Sequence, residues 1–413
     1  MLNSHNKTIL EILGRDPIHP FPARMAPGIA LEALRESKTE LRVLDPMVGS
    51  GTVLAVARAK GHRAFGVDVD PLAVLLAGVW TRTVDAECVT NKAREVLDRA
   101  KARFRSLPSA RAYPVQSDEE TRKFIRYWFD PYARRQLASL CMAIGRVRDG
   151  VTRDVLWCAF SRLIITKSAG TSLAMDLSHS RPHRKFVHAP IKPFNRYLAA
   201  VETVVSNCPQ SGQGIVGPPA VVKNGDARKL SIDDSSIDLV LTSPPYLNAI
   251  DYMRCSKFSL VWMGHKVGQL RQIRTESVGT EASFAPARES DWVKLLISNL
   301  GLKPQLSQRH HALLAQYVWD MAQVMAEVSR VLRDGGRAVY VVGESTVRDT
   351  FIRTSSILTS LAERCALRLT SRQSRELPAN RRYLPPPKQH GSNDRMDSRM
   401  RREVVLVFHK SAA

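Results

Sequence analysis

The sequence predicts an α/β protein built on a mostly parallel, doubly wound sheet. Three observations carry this expectation. Short apolar runs alternate with longer stretches of helical periodicity along most of the chain. One run, Leu41-Arg42-Val43-Leu44-Asp45, passes through the glycine turn Pro46-Met47-Val48-Gly49-Ser50-Gly51 into a helical stretch that starts at Thr52. A second run, Ala64-Phe65-Gly66-Val67-Asp68, ends in an acid, where such sheets present a carboxylate to a ribose.

The elements follow in order. Strands are expected at 41–45, 63–69, 220–223, 237–242 and 337–343, with a final pair at 366–374 and 403–408. Asp70 before Pro71 reads as a helix N-cap with proline at the first helical position. The apolar helix after it, 72–80, packs on the sheet. Tyr317, Met321, Val324, Val328 and Val331 recur at helical spacing, and Asp334-Gly335-Gly336 stops that helix before the fifth strand.

Two stretches exceed the pattern. A crossover between parallel strands needs only about a dozen residues, so 81–217 must form a helical body of its own. Helices are expected there at 91–105, 119–128, 131–148, 151–165 and 193–206. The chain then divides into a core of 1–80 plus 218–413 and an inserted helical region, 81–217. The second stretch is 247–312. Its part from Arg271 to Arg288 is polar and rich in Gly, Ser and Thr, and is expected to be mobile until a substrate binds.

The glycine turn admits three ligand readings. A phosphate-cradling loop needs Lys after its last glycine, but Thr52 follows Gly51. A dinucleotide fingerprint needs a third glycine where Leu54 stands. What remains is a loop that wraps a ligand lacking a pyrophosphate, such as S-adenosylmethionine.

Thr242-Ser243-Pro244-Pro245-Tyr246 directly follows the apolar run Ile237-Asp238-Leu239-Val240-Leu241. Two prolines fix φ and remove two N–H donors, so the carbonyls there are held rigidly outside any ladder. Rigid acceptors suit an exocyclic amine, and Tyr246 offers a ring face to a flat base. A strand ending in a proline-rich turn is the plain alternative.

Composition narrows the partners. The chain has 413 residues, 44% hydrophobic and 24% charged, as a globular protein does. Its net charge of +22 points to a polyanion. No apolar segment approaches the length of a membrane span, no basic amphipathic helix stands out, and no signal peptide is visible at 1–7. An intracellular, cytoplasmic protein is expected. The six cysteines form no CxxC pair and the histidines show no ligand spacing, which argues against a metal site or a disulfide framework. Basic stretches at 178–185 and 381–402 are candidates for touching phosphates.

Taken together, Phe21-Pro22-Ala23-Arg24-Met25, the run 45–52, Gly66-Val67-Asp68-Val69-Asp70-Pro71 and 242–246 resemble the amino-methylating DNA methyltransferases. The resemblance covers 17–80 and 220–344. It implies a Rossmann-like, seven-stranded methyltransferase sheet and S-adenosylmethionine as cofactor. It implies methyl transfer to cytosine N4 or adenine N6 of double-stranded DNA, and admits a cognate restriction endonuclease as companion. Phe21, Ala23 and Arg24 would contact the methionine part of the cofactor. Arg24 stands where the family commonly has Lys, and Met47 where it commonly has Phe. Asp45, Pro46, Gly49, Ser50, Gly51 and Thr52 would form the cofactor loop, Asp68 would hold the ribose, and Asp226 with Ala227 the adenine. Asp226 beside Gly225 reads equally well as a plain turn.

In this reading Thr242, Ser243, Pro244, Pro245 and Tyr246 carry the chemistry. The base leaves the duplex, stacks on Tyr246, and donates its amine hydrogens to Ser243 and the Pro244 carbonyl. Alignment supplies most of the catalysis, since the methyl donor already carries positive charge. Arg181, Arg184, Lys185, Arg254, Arg381 and Arg382 would meet the nucleic acid. Ser before Pro-Pro-Tyr favours cytosine N4 over adenine N6. An RNA methyltransferase and a non-catalytic nucleic-acid binder stay open as alternatives.

Overall fold

A computed structural model describes residues 7–22, 25–35, 37, 39–178, 182–210, 217–247, 252–279, 290–302, 306–347, 350–376 and 402–411. Among the described residues nine strands follow in chain order: β1 (Arg42–Asp45), β2 (Arg63–Asp68), β3 (Val221–Asn224), β4 (Ile237–Thr242), β5 (Leu332–Gly343), β6 (Ser345–Val347), β7 (Thr350–Ile352), β8 (Leu367–Glu376) and β9 (Arg402–Lys410). Seven of them form one sheet in the order β3-β2-β1-β4-β5-β9-β8, and β6 with β7 forms a small antiparallel pair. β2 runs parallel to β3, β1 to β4 and β4 to β5, while β9 is antiparallel to both β5 and β8. This is a Rossmann-like, mostly parallel seven-stranded sheet, the architecture the resemblance implies.

The strand run 237–242 reads as expected because its apolar residues are buried on both faces, the pattern of a central parallel strand. The fifth strand differs from expectation. It begins at Leu332, directly after the helix Gln308–Val331, and Asp334-Gly335-Gly336 lies inside it. Leu332 pairs with Ile237 and Arg337 with Leu239, so the intervening residues bulge out of the ladder. Gly335, at φ +71°, makes that bulge tolerable. The β6–β7 pair was not legible in the sequence.

By contacts the chain divides into two compact units: residues 1–40, 48–224 and 251–274, and residues 41–47, 225–250 and 275–413. This division does not follow the 80/81 and 217/218 boundaries drawn from strand spacing. In the first unit the helices Ala86–Ser106, Glu119–Trp128, Pro131–Ile144, Gly150–Ile164 and Pro193–Ser206 join β2, β3 and the helices Thr52–Ala59 and Pro71–Trp80. Their starts are written in the sequence. Asp85, Asp118, Asp130 and Asp149 each cap a helix by accepting a backbone N–H of its first turn. Arg58 is buried within this unit and donates to the carbonyls of Gly217 and Thr81.

The second unit holds β1, β4, β5, β8 and β9 with the helices Asp291–Asn299, Gln308–Val331 and Thr354–Glu363. Its core includes Tyr317, Met321, Val324, Tyr340 and Phe408. The expected mobility of 271–288 needs correction in part. Residues 271–276 belong to the helix Val267–Glu276, and Arg271 pairs with Glu120. Residues 280–289 lie outside the described residues.

Candidate active site

Each unit holds its own set of groups. In the first, the turn after β1 continues from Val48 into the helix Thr52–Ala59. Gly49 and Gly51 adopt φ of +48° and +84°. Gly51 is also a close approach: a Cβ there would lie 2.8 Å from the Ala77 Cα. Both Asp68 oxygens accept backbone amides, Oδ2 from Gly49 at 2.9 Å and Oδ1 from Asp70 at 2.9 Å. Each oxygen keeps a lone pair for another donor. Burial pushes the Asp68 carboxyl above its usual range, and the backbone amides of Asp70, Gly49 and Val69 oppose that shift.

Asp70 caps the helix Pro71–Trp80 through the Leu72 amide at 2.9 Å, with proline at the first helical position. Its other oxygen accepts from the Ser256 hydroxyl at 2.5 Å. Burial, then the neighbouring Asp68 charge, pushes the Asp70 carboxyl up to about 7. Phe21 is buried and stacks on Tyr252, ring centroids 6.2 Å apart. Ser50 and Thr52 are buried, their hydroxyls 3.2 Å apart.

In the second unit, Asp45 ends β1. Its Oδ1 accepts the Thr242 hydroxyl at 2.7 Å and the Met47 amide at 3.1 Å. Thr242 is fully buried. The Ser243 hydroxyl donates to the Val341 carbonyl of β5 at 3.0 Å. That bond uses the hydrogen and leaves the oxygen's lone pairs to accept. The Tyr246 hydroxyl donates to Glu403 Oε1 of β9 at 3.1 Å, and the Leu247 carbonyl accepts from Ser345 at 3.1 Å. The proline ledge is therefore anchored to β1, β5, β6 and β9.

For Asp226 the turn geometry is explicit. Its Oδ1 accepts the Arg228 amide at 2.8 Å, and its carboxylate pairs with the Arg228 guanidinium at 2.7 Å. Arg228 also reaches the buried Asp320 at 2.9 Å. Ala227 is buried beside it. Asn224 closes the end of β3 by donating to the Asp68 carbonyl at 3.0 Å.

The basic loop of the first unit is fastened. Leu173 N donates to the Trp128 carbonyl at 2.8 Å, and Lys185 N to the Leu173 carbonyl at 2.9 Å. Arg184 is exposed with its guanidinium 5.5 Å over the half-exposed Tyr127 ring. Lys185 is exposed, and Arg254 is half-buried at the start of the helix Met253–Leu260. Ala23, Arg24, Arg181, Arg381 and Arg382 lie outside the described residues. Among the described residues no three His, Cys, Asp or Glu side chains gather to hold a metal, and no helix is long and apolar enough to cross a membrane.

Sequence reasoning missed Ser256, Arg228, Arg375 and Glu403. For Glu403 a signal existed: a lone acid opening the apolar strand Val404-Val405-Leu406-Val407-Phe408.

No family model matches the chain. The chain is 22% identical to the type II methyltransferase M.MvaI of Kocuria varians, over 83% of this chain and 80% of that protein. It is 21% identical to the type II methyltransferase M.MjaII of Methanocaldococcus jannaschii, over 57% of this chain and 59% of that one. Among solved structures, a SAM-dependent methyltransferase from Methanosarcina mazei aligns at TM-score 0.34 and 10% identity, covering 92% of this chain and 98% of that one. The YcgJ protein of Bacillus aligns at TM-score 0.34 and 10% identity, covering 94% and 98%. Both structural alignments are loose, and the fold assignment rests on the strand order itself.

Proposed function

We propose that this chain transfers a methyl group from S-adenosylmethionine to the exocyclic amine of a base in double-stranded DNA, with cytosine N4 as the acceptor. The observation that carries the reading is the Thr242–Asp45 hydrogen bond, 2.7 Å long. It ties the base of the acceptor ledge to the first residue of the glycine loop. The type II methyltransferase relatives support the same reaction class.

The loop residues fit such a cofactor. Two glycines at positive φ let backbone approach a nucleoside, Asp68 keeps lone pairs for ribose hydroxyls, and no lysine waits for a phosphate. Asp45, Pro46, Gly49, Ser50, Gly51, Thr52 and Asp68 would hold it, with Phe21, Ala23 and Arg24 on the methionine part and Ala227 on the adenine. Asp226, already paired to Arg228, serves the adenine only through the turn it shapes. When bound, S-adenosylmethionine supplies a methyl group on a cationic sulfur.

The ledge prepares the acceptor. The target base leaves the stack and lies on Tyr246. Its amine donates to the Ser243 oxygen, whose own hydrogen is occupied by Val341, and to the Pro244 carbonyl. Pro245 removes a second competing N–H. The two bonds localise the nitrogen lone pair, and no strong base is needed because the proton leaves after transfer, to water.

Arg184, Lys185, Arg254, Arg181, Arg381 and Arg382 neutralise backbone phosphates, with 81–217 as the recognition region. A cognate restriction endonuclease and a cytoplasmic setting belong to the same reading. Ser243, a weaker acceptor than a carboxylate, favours cytosine N4; adenine N6 is the alternative. The test is transfer of labelled methyl groups to unmodified genomic DNA, followed by nucleoside mass spectrometry. N4-methylcytosine supports the proposal and N6-methyladenine corrects the acceptor. Methylation of tRNA with none of duplex DNA overturns the substrate class.

A further inference from the structure

The strands at the antiparallel side of the sheet carry a charged pair with no role in the chemistry described so far. Glu403 of β9 and Arg375 of β8 stand opposite each other, and Arg375 Nε donates to Glu403 Oε2 at 2.9 Å. Both side chains are nine-tenths buried. A buried ion pair is weak evidence for stability, since desolvation offsets most of the attraction. Its retention asks for another explanation. The other carboxylate oxygen, Oε1, accepts the Tyr246 hydroxyl at 3.1 Å. Gly343 of β5 lies opposite Glu403 on the remaining side and puts no side chain beside the carboxylate.

We infer that Glu403, oriented by Arg375, is a positioning residue that fixes the ring of Tyr246 for base stacking. The inference rests on the reaction proposed above and adds to it a determinant more than 150 positions away in sequence. The physical argument is rotational. Proline restrains the backbone before a tyrosine but does not set the two side-chain torsions that orient its ring. A stacking platform works only in one ring plane. A hydrogen bond at the far end of the ring fixes that plane, and a carboxylate held by a guanidinium is a strong, directed acceptor. The tether touches neither cofactor nor acceptor amine, so it acts on base capture and not on cofactor binding.

The test is a double-mutant cycle on the full chain, with tritiated S-adenosylmethionine and unmodified genomic DNA. Tyr246→Phe and Glu403→Ala should each lower kcat/KM for DNA by roughly tenfold, the factor for one hydrogen bond to a charged group. The dissociation constant for S-adenosylmethionine should stay within twofold of wild type. The double variant should be no worse than either single variant, because both remove the same bond. Glu403→Gln, which keeps an acceptor, should recover most of the loss. If the effects of the two single changes multiply, or Tyr246→Phe leaves kcat/KM unchanged, the inference is overturned while the proposed reaction stands. A wild-type protein that methylates no DNA overturns both. Tyr246→Phe removes one oxygen from a half-buried site, so it keeps the cycle readable even if Glu403→Ala folds poorly.

Discussion

The Thr242 hydroxyl donates to the Asp45 carboxylate across 2.7 Å and 197 positions of sequence. Both groups are buried. Thr242→Val keeps the shape and removes the donor. It should lower unfolding free energy by about 2 kcal/mol, the range for a hydrogen bond to a charged group. Urea denaturation of the two proteins measures this, and an unchanged midpoint would refute a role for the bond.

In the proposed reaction Ser243→Ala removes the oxygen that accepts from the reacting amine. Turnover should fall roughly tenfold to a hundredfold, while S-adenosylmethionine binding is retained. Calorimetric titration and initial rates on one preparation separate the two.

Asp70 gives stability a pH dependence. Its carboxyl is pushed up to about 7 in the folded chain, against about 3.9 when unfolded. Its contribution is fully present below the unfolded value and is lost as pH rises through the folded one. Over that window the native state holds a proton the unfolded chain has released. Asp70→Asn retains an N-cap acceptor and cannot ionise. The variant should show a flatter stability profile between about pH 4 and about pH 7. Asp68, shifted in the same direction, leaves part of the slope in place.

Gly51→Ala forces a side chain into a left-handed conformation and against the Ala77 backbone. The conformational penalty is roughly 1–2 kcal/mol and overpacking adds roughly 1–3 kcal/mol. Gly78→Ala is the control, because its Cβ would meet nothing within 4 Å. Thermal melts should show a large fall for the first change and none for the second.

Arg184→Ala should weaken DNA binding about equally for all sequences. The slope of log affinity against log salt should fall by about one unit, as for one lost phosphate contact. An unchanged slope in fluorescence anisotropy would place this arginine away from the nucleic acid.

The central strands were legible because they are dominated by burial. β4 is apolar on both faces and ends in prolines, so its end at Thr242 could be read to the residue. The helices Glu119–Trp128, Pro131–Ile144 and Gly150–Ile164 start within one residue of expectation, each just after an aspartate cap, whereas the helix capped by Asp85 starts five residues before the expected 91 and Pro193–Ser206 has no side-chain cap. Bounds failed where sequence punctuation had a different use, as at Gly335, which bulges a strand and does not end a helix. In the candidate site, the glycine loop, Asp68 and the ledge stood out by local spacing. Glu403 did not: a lone acid opening an apolar strand marks the position, but its partner Tyr246 lies 157 positions away and nothing local names that partner.

The pairing of β2 with β3 has a kinetic side. Asn224 closes on Asp68 across 156 positions, where a helical crossover takes about a dozen. Lengthening the excursion that far adds only about 2 kcal/mol of closure entropy. The larger effect falls on the ribosome. At roughly 5–20 residues per second, β2 waits on the order of ten seconds with one edge bare before its neighbour is made.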